Sequence, residues 1–192
     1  LVALDILSFL TLHTELESAL FAIAVILLVM IANKHPEWLF PIAVAEIIAT
    51  SNGHSLNIEM LGASIGLRIA IFGILMLATI FSILKKRENP IPAHFRMLSL
   101  LIATVILYAV LLGVLNGNGL RNIYLDANGY LAIGYVLAAW VWVRDADSRR
   151  LLLQAVGAGM LWIASKTLLF LFMFGHLHPK TLDYVYTWIR DT

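Results

Sequence analysis

The sequence predicts an all-α fold, a polytopic transmembrane helix bundle with about six spans. Three observations carry this. Apolar residues make up 61% of the 192 positions, charged residues only 13%, and the mean hydropathy is +0.89. A soluble domain holds roughly 45–50% apolar and about 25% charged residues, and a 21.3 kDa globule has too much surface for its volume to hide this excess. The apolar residues also fall in continuous runs, without the period-two alternation of a membrane β-barrel.

Composition excludes further classes. Disorder needs low hydrophobicity and high charge. A formal charge of +1, with no massed basic segment, argues against a nucleic-acid partner. The absence of cysteine removes a disulfide scaffold, an iron–sulfur site and a thiol nucleophile.

A span needs about 20 apolar residues. The segment Leu1 to Leu12 is too short, and it lacks the basic start and small-residue cleavage site of a signal peptide. Residues 1–17 are therefore expected to be an outer-side segment, the end of an upstream element. The bundle is expected over 18–175. Its spans are Ser18 to Asn33, Trp38 to Asn52, Met60 to Leu84, Met97 to Asn116, Tyr130 to Val143 and Leu151 to Gly175. Pro41 falls in the first turn of the second, where proline is tolerated. Residues 176–192 read as the start of an extracytoplasmic loop or helix. The chain reads as a piece of a longer protein.

Loop charge sets the orientation. Lys34, the KKR run with Arg96, and Arg144, Arg149 and Arg150 place eight basic residues on one side; Arg121, Lys180 and Arg190 lie on the other. The KKR and RDADSRR loops are thus expected in the cytoplasm, the protein in the cytoplasmic (inner) membrane. Trp38, Tyr130, Trp140, Trp142 and Trp188 fall at span ends, as interfacial aromatics do.

Three ionisable residues lie inside spans, where each is costly unless paired or wetted: Glu46, Arg68 and Lys166. Glu46 and Arg68 flank the turn near Asn57 at equal sequence distance. Lys166, nine residues before Gly175, is expected at the same depth. One carboxylate cannot neutralise two cations, so the layer is expected to suit an anionic head group, phosphate or pyrophosphate, held by Arg68 in two-pronged contacts. A Glu46–Arg68 pair that only locks the hairpin, and a Lys166 that reaches outward to the interface, are the plainer alternatives. Arg121, in the outer NGNGLRNIYLDANG turn, is a further substrate-binding candidate. That turn has no phosphate-loop pattern. The six histidines lie outside the spans or at their edges, which disfavours a membrane haem. His176 and His178 are a weak metal signal. No metal and no cofactor are expected.

The run KHPEWLFPIAVAEIIATSNGH, the helix LGASIGLRIAIFGILMLATI, the segment LLGVLNGNGLRNIYLDANGYLAIGYVLAAW, then RDADSRRLLLQAVGAGMLWIASKTLLFL and the closing YVYTWIRDT together resemble the N-terminal half of O-antigen ligase and O-antigen polymerase-like membrane proteins. The resemblance covers essentially the whole chain and implies a membrane enzyme that moves glycans from undecaprenyl-pyrophosphate carriers on the outer face, without a nucleotide sugar or a metal. It implies basic residues on the pyrophosphate, with Arg190 at the start of a large outer loop, and catalytic residues beyond Thr192. The partners would be the lipid bilayer and a polyprenyl-pyrophosphate-linked glycan. The alternative is a non-enzymatic polytopic membrane protein, a scaffold or small transporter subunit.

Overall fold

The structure, a computed structural model, describes residues 2–11, 14–50, 56–60, 63–86, 92–119, 122–123 and 129–191. Among them the chain is all-α apart from one short hairpin. The helices are α1 (Val2–Thr11), α2 (Glu15–Lys34), α3 (Leu39–Ala49), α4 (Leu67–Lys86), α5 (Ala93–Leu115), α6 (Ala132–Trp142), α7 (Ala146–His176) and α8 (Pro179–Asp191). Strands β1 (Asn57–Met60) and β2 (Ala63–Gly66) pair antiparallel, with Ile58 opposite Ile65.

Four helices, α2, α4, α5 and α7, are long and apolar enough to cross a membrane, so the chain is a multi-pass membrane protein. The other two expected spans, Trp38 to Asn52 and Tyr130 to Val143, contain helices of 11 residues, α3 and α6. At 1.5 Å per residue each is about 16 Å long, half a bilayer core. A span count of six does not follow from helix length. The third expected span also begins late. Met60 ends β1, Ala63–Gly66 form β2, and α4 starts only at Leu67. Apolar composition alone did not separate a strand from a helix there.

The chain divides into two compact units. The first comprises residues 1–75 and 145–192, and the second residues 76–144. In the first unit, α3 packs along α7. Leu39, Phe40, Pro41, Ala43, Ala45, Glu46 and Ala49 are all buried, so α3 is enclosed on nearly every side. Its small residues allow close approach. An alanine-like Cβ at Gly159 of α7 would lie 3.1 Å from the Ile48 side chain and 3.4 Å from the Ala45 carbonyl oxygen. Helix α2 instead buries only Phe21, Ala24 and Leu28, a narrow stripe at i, i+3 and i+7. Ile23, Ile26, Leu27 and Met30 stay exposed, an apolar surface that lipid covers without penalty. The hairpin is tied to α2 where the Asn57 backbone N–H donates to the Glu17 carboxylate at 3.1 Å.

Helix ends follow local chemistry. Asp145 caps α7, its carboxylate accepting from the Ser148 hydroxyl at 2.6 Å and from the Ser148 N–H at 2.7 Å. These two bonds, the hydroxyl's foremost, hold its pKa below the usual aspartate value. In the second unit, α5 ends in a Schellman turn. Gly117 adopts φ +74°, and the N–H groups of Asn118 and Gly117 bond back to the Gly113 and Val114 carbonyls, each at 3.0 Å. The glycine and asparagine of the NGNG run thus end a helix. In the same unit Trp142 Nε1 donates to Thr79 Oγ1 at 2.9 Å.

The α3–α7 contact yields a contrast between neighbouring glycines. Gly159→Leu should destabilise the protein by about 1–3 kcal/mol, since the branched chain must displace Ile48 or part the helices. Gly157→Ala meets nothing within 4 Å and should be neutral or mildly stabilising. Melting curves in detergent check this, and equal effects of the two substitutions would contradict the packing.

Candidate functional site

The membrane-embedded charges assemble at two places in the first unit. The first is at the junction of α3, the hairpin and α4. Glu46 lies in the last turn of α3, next to the negative end of that helix. Arg68 lies in the first turn of α4, next to the positive end. Neither position is favoured by its own helix dipole, so each charge depends on the other. Arg68 Nε donates to Glu46 Oε2 at 3.1 Å and to Oε1 at 3.3 Å. Glu46 is only 1% exposed, and the Arg68 side chain is 29% exposed.

Thr50, the residue that ends α3, completes the cluster. Arg68 Nη2 donates to the Thr50 carbonyl and to Thr50 Oγ1, both at 2.8 Å. Carbonyls at a helix C-terminus have no partner within the helix, so the guanidinium caps α3 as well as pairing with Glu46. The Thr50 hydroxyl lies 2.6 Å from Glu46 Oε1 and 2.9 Å from the Glu46 carbonyl oxygen. A hydroxyl has one proton, and the ionised carboxylate at the shorter distance is the stronger acceptor.

The second place is at the other end of the unit's fold order, where α1 meets α7 and α8. Lys166 Nζ donates to Asp5 Oδ2 at 3.0 Å. Trp162 Nε1, one turn back on α7, donates to the same oxygen at 2.7 Å. The ammonium also lies 4.4 Å from the centre of the Trp188 ring, a cation–π contact. Asp5 is 3% exposed and the Lys166 side chain 13%. Trp188 Nε1 donates to Ser8 Oγ at 3.1 Å, and the Tyr184 hydroxyl donates to the Phe9 carbonyl at 2.7 Å. Edge-on ring contacts join Phe9 to Tyr184 and Trp188, and Phe170 to Trp188. A cavity of about 110 Å³ beside the pair includes Ile6, Phe9, Leu169 and Phe170 in its wall.

Several expectations are corrected by this geometry. The single charged layer does not form. Gly159 is level with Ala45 and Ile48, which bracket Glu46, and Lys166 lies seven residues further along α7, about 10 Å at helical rise. The excess of positive charge also disappears. The count of one carboxylate against two cations omitted Asp5, which sits in a segment too short to span. With Asp5 included, each cation has its own acid. Lys166 does not reach outward to the interface; it points at Asp5. Arg68 cannot present a two-pronged edge, because Nε and Nη2 are engaged by Glu46 and Thr50. Trp188 is not an interfacial anchor but a lid over the lysine, 5% exposed.

Arg121 lies outside the described residues. Arg190 belongs to α8, and its side chain lies outside them too. Among the described residues no group of three or more His, Cys, Asp or Glu side chains could hold a metal ion. His176 stacks on Phe172 with ring centroids 4.4 Å apart, and His178 Nδ1 accepts from the Lys180 N–H at 3.4 Å. In the second unit an apolar groove of about 710 Å³ runs between α5 and the segment that follows it, with Asn116, Asn118 and Tyr130 among its lining residues.

Of the guanidinium's three nitrogens, Nη1 has no partner among the described residues. It is the guanidinium's remaining donor, on a side chain that is partly exposed.

No family model matches the chain, and no curated protein or solved structure matches it either.

Removing one member of a buried pair strands the other. Asp5→Ala should therefore cost about 3–5 kcal/mol, read as a lowered melting temperature. Asp5→Leu combined with Lys166→Leu should recover most of that loss, because an apolar pair carries no desolvation penalty. A single Asp5→Ala variant that melts with the wild type would show that Lys166 has another acid.

Proposed function

We propose that this chain is part of an integral-membrane enzyme of the O-antigen ligase and polymerase type, transferring or polymerising glycans carried on undecaprenyl pyrophosphate in the cytoplasmic membrane. The observation that carries the reading is Arg68: a side chain 29% exposed, its guanidinium fixed by Glu46 and Thr50 with Nη1 left to donate. The resemblance of five segments to that family supplies the substrate class, and the apolar helices agree with a lipid-borne substrate. In this proposal the chain crosses the membrane six times, with α3 and α6 as short crossings shielded by their neighbours. The KKR and RDADSRR loops lie in the cytoplasm, and the Arg68 end of α4 faces outward. Arg68 holds a phosphate oxygen of the carrier, Glu46 orients it, and Arg121 and Arg190 add positive charge from the outer segments. Lys166 serves the α1–α7–α8 junction rather than the substrate. The catalytic residues lie beyond Thr192.

A specific observation favours the second reading, a non-enzymatic membrane scaffold or small transporter subunit. All four charges close into two neutral pairs, which is sufficient for helix association alone.

The two readings separate on one variant. Glu46→Leu combined with Arg68→Met replaces the ion pair by apolar side chains and should leave the fold intact. In the full-length protein in proteoliposomes, the enzymatic reading expects glycan transfer from the polyprenyl pyrophosphate carrier to fall by about 10–100-fold, the worth of a hydrogen bond to a charged group. Transfer at the wild-type rate by this folded variant would remove Arg68 from the site.

A further inference from the structure

We infer that Thr50 is a positioning residue which holds the Arg68 guanidinium so that Nη1 is the nitrogen left for its anion. This rests on the reading of Arg68 as a phosphate ligand and goes beyond it by naming the nitrogen that meets the phosphate and the residue that orients it. A guanidinium has two edges able to grip an anion in parallel, the side edge of Nε with Nη2 and the end edge of Nη1 with Nη2. Both need Nη2. Here the two hydrogens of Nη2 are directed to the Thr50 carbonyl and to Thr50 Oγ1, both at 2.8 Å. The single Nε hydrogen goes to the Glu46 carboxylate. Neither edge is left, and Nη1 alone remains.

The Thr50 hydroxyl sets the orientation of the guanidinium. Its proton satisfies Glu46 Oε1 at 2.6 Å, which keeps that oxygen from closing on Nη2. Its lone pair then takes the Nη2 hydrogen instead. Without the hydroxyl, Glu46 can grip the side edge directly with both oxygens, the commonest Arg–carboxylate geometry. The guanidinium would turn toward Glu46, and its charge would be more fully compensated.

Two lipids and four proteins test this, using the full-length protein and vesicles doped with polyprenyl monophosphate or polyprenyl pyrophosphate. Arg68→Ala, which removes that nitrogen, should weaken binding of both lipids by about tenfold or more. Thr50→Val, which keeps the shape and removes the hydroxyl, should weaken binding by about tenfold, while Thr50→Ser, which keeps the hydroxyl, should stay within about twofold of the wild type. Wild-type binding by Thr50→Val, or equal losses by Val and Ser, would overturn the role of Thr50 while leaving Arg68 in place. Wild-type binding of both lipids by Arg68→Ala would instead overturn the phosphate reading itself.

Discussion

A charge buried among apolar helices must meet an opposite charge, and in this chain that requirement fixes where segments distant in sequence are joined. Glu46 and Arg68 bring the end of α3 to the start of α4. Asp5 and Lys166 bring the first helix to the last third of the chain. Each acid is almost fully enclosed, so neither can fall back on water. Apolar packing between helices is nearly indifferent in lipid, because a lipid tail is as good a neighbour as a leucine. Pairing and hydrogen bonding are directional and distinguish one arrangement from another. The close α3–α7 contact at Gly159 adds shape to what the charges specify.

The two pairs serve different ends because their surroundings differ. Asp5 Oδ2 receives Lys166 and Trp162 together, and Trp188 covers the ammonium. That pair is largely enclosed, suited to holding α1 in place. Around Glu46 the partners are a hydroxyl and a helix-end carbonyl, both supplied by Thr50. The arginine side chain is more exposed than the lysine, 29% against 13%. That difference is why the proposal puts the carrier-phosphate contact at Arg68 and not at Lys166.

What the sequence disclosed follows the range of each interaction. Long apolar runs are local, and α2, α4, α5 and α7 overlap the spans hydropathy expects, with ends shifted by up to seven residues at the start of α4. The Glu46–Arg68 pairing was legible because 22 residues around one turn separate the partners, so helical rise alone brings them level. The Asp5–Lys166 pairing was not, because 161 residues intervene and only the packing of α1 against α7 and α8 joins them. Trp188 looked interfacial for the same reason: its position at a span end is visible in the sequence, its neighbours Phe9 and Phe170 are not. Strand β2 was lost inside the expected span Met60 to Leu84, where strand and helix share composition. The bond from Arg68 Nη2 to Thr50 depends on an orphan carbonyl at a helix end, which no residue type advertises.

The central claim is pairwise neutralisation, and double-mutant cycles over the four charges test it most directly. Thermal unfolding in detergent of single and double alanine variants gives a coupling energy for every acid–base combination. Strong coupling is expected for Glu46 with Arg68 and for Asp5 with Lys166, and coupling near zero for Glu46 with Lys166 and for Asp5 with Arg68. Substantial coupling in either crossed combination would mean that the charges share one layer, and would contradict the account.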